Sequence, residues 1–409
     1  MISVLKKRGA LLALLFAFAL VVAACAEDDV ATTTAAPGTT AAPDTTAAPD
    51  TTAAPDTTAA PDTTLPAPPP GKEVLVCQVS DTGGIDDASF NASAWAGAQQ
   101  AEAELDGVSI EFLESADATE YRPNIDAFIN QGCDLIITVG FLLADDTAAA
   151  AVDNPNQKFA FVDQSPGPFP PWADADGNLL SDYANLRGLI FQTDEAAFLA
   201  GYMAAGVTET GAVGTFGGIN IPPVTIFMDG FVKGVEHYNS VNGTSVSALG
   251  WNVEDADGLF TGNFDSLEDG RSFAETLVNN GADIVLPVAG PVGLGSAAYC
   301  QDTGACTIVG VDADWNDTAS QYTDVILTSV LKNINVSVFN TINNVLVLDS
   351  VGNLFNGTLA NGGVGLAPLQ ANADKVSAEL QAEVDAIAAG IAANGSIQAY
   401  LDSLVPADG

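Results

Sequence analysis

Short apolar runs of strand length alternate with longer stretches of helical pattern from residue 73 onward. Glu73–Val79 (EVLVCQV) is predicted as the first strand, followed by an alanine-rich helix over Ala88–Leu105. Val108–Leu113, Asp134–Val139, Lys158–Val162 and Leu186–Phe191 are further strands, with helices expected over Arg122–Asn130 and Ala144–Val152. The alternation then restarts. Strands are predicted at Ala212–Phe216, Val246–Val253, Asp283–Val288, Cys306–Val311 and Val325–Val330. Helices are expected at Glu195–Ala205, Thr225–Asn239, Leu267–Asn279, from Gly293, and from Lys332 to about Leu348. Strands buried on both faces read as continuous apolar runs, and their alternation with helices implies parallel sheets covered on both sides. So many strands exceed what one compact sheet usually carries. The expectation is α/β, with two doubly wound parallel-sheet lobes joined near Arg187–Thr193.

The region before residue 73 has a different character. Lys6, Lys7 and Arg8 precede an apolar and small-residue run from Leu11 to Val22, and then Ala23-Ala24-Cys25. The apolar segment falls short of the roughly 20 residues needed to span a bilayer. Positive residues, an apolar run and small residues describe an export signal. Small residues directly before cysteine resemble the bacterial lipobox, which implies cleavage at that point and lipid on the Cys25 thiol. TTAAPD then recurs with a period of six between Thr39 and Thr64. Without large apolar residues such a stretch builds no core, and its prolines keep it extended. The expected organisation is residues 1–24 as signal peptide and 25–72 as lipidated cysteine and disordered spacer. The first lobe is expected at 73–190 plus about 313–345, and the second at 191–312 plus about 346–400. The protein should sit on the outer face of the cell membrane, held by lipid alone.

Charge narrows the partners. The chain has 52 acidic against 11 basic residues, and three of those bases lie in the export segment. Nucleic acid is a poor partner for that surface. In an exported protein disulfides are permitted. Cys300 and Cys306 close a short CQDTGAC loop and are expected to pair, whereas Cys77 and Cys133 read equally well as buried small hydrophobes.

In open α/β sheets, ligands lie beyond the carboxyl ends of the strands. Here those ends carry glycine, carboxylate or aromatic residues: Asp81-Thr82-Gly83-Gly84, Gly140-Phe141, Asp163, Gly217-Gly218, Asn263-Phe264, Gly290 and Asp312. No G-x-G-x-x-G, Walker lysine or G-x-S-x-G elbow follows any strand. The single histidine, His237, lies mid-helix and reads as a surface residue. No cofactor or metal is expected. The acidic neighbours Asp86-Asp87 and Asp312/Asp314 read as products of an acid-rich composition.

DTGGIDDASFNASAWAG (Asp81–Gly97), GCDLIITVGF (Gly132–Phe141), FQTDEAAFLAGYMAA (Phe191–Ala205) and GTFGGINIPPV (Gly214–Val224) resemble the basic membrane protein, or PnrA-like, lipoprotein family. GVDAD (Gly310–Asp314), TSVLKN (Thr328–Asn333) and NGGVGLAP (Asn361–Pro368) continue the match in order. The resemblance implies a type I periplasmic-binding-protein fold, an ABC permease and ATPase as partners, and a nucleoside ligand, with purine favoured. It implies that Phe90 and Phe264 sandwich the base. Asp81, Asn91 and Asp163 would contact the base or orient its loop, and Gly290, Asp312 and Lys332 would face ribose. The Trp172 segment, SPGPFPPWADADGNLLSDY, departs from the pattern and is expected to alter the rim of the cleft. A monomer is expected. The competing readings are another small polar solute such as a sugar or autoinducer, a receptor's sensory subunit, and, least favoured, a nucleoside-cleaving enzyme. An amino-acid ligand would call for an arginine at a strand end, and none of Arg122, Arg187 and Arg271 is there.

Overall fold

The computed structural model describes residues 68–405. The signal, Cys25 and most of the spacer therefore lie outside the described residues.

The first half of the body runs β1 (Val74–Ser80), α1 (Phe90–Glu104), β2 (Val108–Leu113), α2 (Tyr121–Gln131), β3 (Leu135–Val139), α3 (Ala144–Asp153), β4 (Lys158–Val162) and β5 (Leu186–Phe191). The second runs α4 (Thr193–Val207), β6 (Ala212–Gly217), α5 (Pro222–Asn242), β7 (Ser247–Leu249), a small hairpin of β8 (Trp251–Asn252) and β9 (Asp257–Gly258), and α6 (Leu267–Asn279). It continues with β10 (Ile284–Val288), α7 (Val292–Thr303), β11 (Thr307–Asp312), α8 (Trp315–Thr318) and β12 (Ile326–Lys332). Last come α9 (Ile334–Leu348), β13 (Phe355–Gly357), β14 (Val364–Leu366), α10 (Ala378–Asn394) and α11 (Ile397–Leu404).

Two six-stranded sheets result, ordered β13-β5-β4-β3-β1-β2 and β14-β12-β11-β10-β6-β7. The central strands pair in parallel in both. Each is a doubly wound lobe, with β1, β3 and β4 of the first occupying the places of β6, β10 and β11 in the second. All five residues of β3 and of β10 are buried, which accounts for their runs of apolar residues, broken only by Thr138, whose hydroxyl donates to the Ala160 carbonyl.

The lobe assignment differs from the expected one in its last third. Residues 313–332 remain with the second lobe, because β12 lies parallel to β11 with Asp312 opposite Leu331. The short segment carrying α8 is enough to make that crossover. Only then does the chain return to the first lobe, where α9 packs on α1 and β13 extends the sheet beside β5. It crosses back to place β14 antiparallel to β12 and α10 against α4. Three strands of chain thus join the lobes, at Gln192, at Asn333 and between Gly357 and Val364. They are tied together, with Gln192 N–H donating to the Gly357 carbonyl (2.7 Å) and Asn333 N–H to the Gly363 carbonyl (2.9 Å).

Cys77 and Cys133 form a disulfide that links β1 to the turn before β3, and Cys300 pairs with Cys306 at the end of α7. The Trp172 segment does not reach the cleft. It replaces the helix between β4 and β5, and its indole is buried against Phe161 and Tyr183, donating to Gln164 Oε1 at 2.6 Å. His237 is half-buried rather than on the open surface. It packs among Phe198, Tyr202 and Tyr400, and burial depresses its pKa.

Candidate functional site

The carboxyl ends of both sheets open onto one cavity between the lobes. All eight residues singled out from the sequence line it: Asp81, Phe90, Asn91 and Asp163 from the first lobe, and Phe264, Gly290, Asp312 and Lys332 from the second. Thr82, Asp87, Phe141 and Phe227 join them.

The first-lobe wall is built where β1 hands over to α1. Asp81 lies just past the strand and is buried, and its Oδ1 accepts from Asn91 Nδ2 at 3.1 Å. Gly140, with φ +117°, leaves room for this carboxylate, since a Cβ there would collide with it. Asp87 is buried, and its two oxygens accept from the backbone N–H groups of Ser89, Asn91 and Ala92 at 2.8–2.9 Å. It therefore caps α1, fixing the first turn from which Phe90 and Asn91 project. The acidic neighbours part company: Asp86 is exposed and Asp87 buried, while Asp314 turns away to cap α8 through Asn316 N–H.

On the second lobe, Phe264 leans on Gly218, where a Cβ would strike the ring. Asp163 and Asp312 stand at the ends of the corresponding strands β4 and β11, both in left-handed backbone conformation (φ +77° and +66°). Aspartate is among the few residues that enter this region readily. Lys332 closes the arrangement. It is the last residue of β12, not the start of the following helix. Its ammonium pairs with Asp163 across the lobes, and both side chains are almost fully buried. The rings of Phe90, Phe191 and Phe227 surround it at 4.8, 5.5 and 5.9 Å.

Lys332 is the one base lining a cavity that holds four carboxylates. Burial pushes Asp81 well above the usual carboxylate range. Burial also raises Asp163 and Asp312, the latter to about 6, with Lys332 opposing the shift in each. Asp87 is raised by burial too, against the pull of its backbone donors. Such a wall is rich in hydrogen-bond acceptors and flanked by flat apolar rings. It suits a neutral, donor-bearing, partly planar solute. None of the three arginines among the described residues lines it.

Phe227 and Asp87 were not singled out from the sequence as site residues. Phe227 sits in an apolar helical pattern identical to that of core residues, and it is indeed nearly buried. Asp87 carries a legible signal, an acid directly before the helix predicted from Ala88.

Two α/β lobes with a polar, aromatic-flanked cavity at their facing strand ends define a solute-binding protein of the periplasmic type. The model of the ABC transporter substrate-binding protein PnrA-like family matches residues 74–396, and the chain belongs to that family. It is 30% identical over 327 residues to basic membrane protein A of Borreliella burgdorferi, covering 78% of this chain and 86% of the relative. It is 27% identical over 330 residues to the ABC transporter nucleoside-binding protein BmpA of Lactococcus lactis subsp. cremoris, covering 76% and 86% of the two chains. Among solved structures, an ABC transporter solute-binding protein of Aeropyrum pernix K1 superposes with a TM-score of 0.68 at 26% identity, covering 79% of this chain and 92% of that one. A second, from Conexibacter woesei, shares the fold at a TM-score of 0.58 and 23% identity, covering 79% and 97%. The chain is thus a substrate-binding protein of the ABC transporter class. Among the described residues no helix is long and apolar enough to cross a membrane.

Proposed function

We propose that the cleft captures a nucleoside, with a purine base favoured, and presents it to an ABC permease and its ATPase. The observation that carries this reading is the pairing of one phenylalanine from each lobe, Phe90 and Phe264, in a cavity whose polar wall is carboxylate. A nucleobase has two flat apolar faces and a hydrogen-bonding edge, and aromatic rings stack on such faces with about 1–3 kcal/mol per base. Asp81 and Asn91 would take the base edge. Asp312 would accept from ribose hydroxyls, and Gly290 and Lys332 would complete that end, with Asp163 holding Lys332. The name of the Lactococcus relative supports the ligand class. The chain would act as a monomer, exported and tethered through lipid on Cys25, with residues 25–72 as the spacer. The "lipoprotein" in the name of a Pyrococcus horikoshii relative, 29% identical over 304 residues, supports the anchor.

Mass spectrometry of solute released from freshly purified protein, followed by calorimetry with inosine, adenosine and guanosine, tests the reading. Tight binding of a nucleoside without release of free base is expected. Release of a sugar or other solute, with no heat from any nucleoside, would overturn the ligand assignment. Turnover to free base would overturn the transport role.

A further inference from the structure

Ser89 stands at the N-cap of α1, where a serine ordinarily accepts from its own helix. Here it makes no such bond, because Asp87 already takes the N–H groups of the first turn. The freed hydroxyl instead crosses to the second lobe. Ser89 Oγ lies 2.9 Å from Asp312 Oδ2 and 3.3 Å from the Val311 carbonyl, and Ser89 and Asp312 are both buried. Ser89 adjoins Phe90, so a single turn of chain carries both a cavity ring and a link to the facing wall.

We propose that Ser89 is an interlobe positioning residue: its hydroxyl latches the first lobe to Asp312, holds Oδ2, and leaves Oδ1 as the oxygen offered to the ligand. The assignment of Asp312 to the ligand rests on the function proposed above, whereas the latch itself does not. A hydrogen bond across the cleft exists only when the lobes are closed, so it favours that form by its full strength. The groups facing Asp312 are Lys332 from β12, Asp163 from the end of β4, and Asp87 with Ser89 from the start of α1. Of these Ser89 is the uncharged one, so its removal leaves the count of charges unchanged. Its donor favours the ionised carboxylate, and its loss moves the titration of Asp312 upward.

The test uses the wild type, Ser89→Ala, Asp312→Asn and the double variant, titrated with inosine by calorimetry between about pH 4.5 and 8. Ser89→Ala should fold normally, since Asp87 keeps the helix capped. It should bind about tenfold more weakly, the usual scale for a lost hydrogen bond to a charged group. Its acid limb of binding should lie at higher pH than that of the wild type, a shift that loss of a purely structural serine would not produce. In the Asp312→Asn background the same change should cost less than about twofold, because coupled partners are non-additive. Equal affinity and pH profile for wild type and Ser89→Ala, or an undiminished loss in the Asp312→Asn background, would overturn the proposal. If the wild type binds no nucleoside, the ligand reading fails, and small-angle scattering of the ligand-free proteins decides the latch. A larger radius of gyration for Ser89→Ala supports it and equal radii refute it.

Discussion

Replacing Lys332 by Met isolates the electrostatics of the cleft. Met keeps most of the side-chain volume, so packing among Phe90, Phe191 and Phe227 changes little. What is lost is the one base in a cavity with four carboxylates. Asp163 loses its ion-pair partner while nearly buried, and breaking a buried pair from one side costs about 3–5 kcal/mol. The sign of the pH dependence follows from the carboxylates. Asp312 sits at about 6, some two units above its ordinary value of 3.8. The native state therefore holds a proton that the unfolded chain has released between about pH 4 and 6, and stability falls as pH rises through that window, by about 3 kcal/mol for a two-unit shift. Lys332 opposes the rise at both Asp163 and Asp312. Without it both titrate higher, and the destabilising window extends upward. Urea unfolding of wild type and Lys332→Met at about pH 7.5 should differ by about 3–5 kcal/mol, and the gap should shrink at about pH 5. A gap below about 1 kcal/mol at the higher pH, the size of an exposed pair, would refute the reasoning. So would a gap that is the same at both.

Phe90→Ala and Phe264→Ala should each weaken nucleoside binding roughly tenfold or more in calorimetry, on the scale of about 1–3 kcal/mol per stacked base, with the ligand-free circular dichroism unchanged. Asp312→Ala should reduce binding of adenosine or guanosine more than binding of the matching free base, and equal losses would remove Asp312 from the ribose end. Replacing Cys77 and Cys133 together by Ala opens a bridge across 56 residues and should lower unfolding stability by about 4 kcal/mol, read in denaturant. Cys25→Ser should leave a folded protein that is unprocessed or released; membrane retention of a correctly cleaved product would refute the lipid anchor.

The strands were legible because buried parallel strands write themselves as apolar runs, and the cavity was legible because those runs stop abruptly at Asp81, Asp163, Gly290 and Asp312. The swap of segments between lobes was not. Nothing local distinguishes β12, which stays in the second sheet, from β13, which returns to the first, since each choice is made by distant strand partners. Lys332 reads from sequence as a helix start, because a single cation beside an apolar helix carries no mark of burial. In the structure it ends the strand, and its stem runs between aromatic rings. Ser89 illustrates the reverse case. It falls inside the helix expected over Ala88–Leu105, whereas the structure starts that helix at Phe90 and has Asp87 fill the capping role. The pairing of Cys77 with Cys133 depended on β1 and β3 being neighbours, a fact of topology.

The repeated topology of the lobes has a physical consequence for capture. Because β4 and β11 occupy the same place in their sheets, each lobe puts an aspartate at the same point of the facing rim, Asp163 on one side and Asp312 on the other. Two like charges brought together in a drying cleft repel, and that repulsion alone would hold the lobes apart. The symmetry is broken at one position. Lys332, on the second lobe, pairs with the first lobe's aspartate and so converts part of the repulsion into an interlobe attraction. Asp81, Asp87 and Asp312 leave carboxylates in excess over the one base. A ligand that supplies O–H and N–H donors to these carboxylates removes the remaining cost of closure, whereas one bearing a phosphate or carboxylate adds to it. Closure is thereby linked to the chemistry of the occupant, and a permease that reads only the closed shape would be reading that chemistry as well.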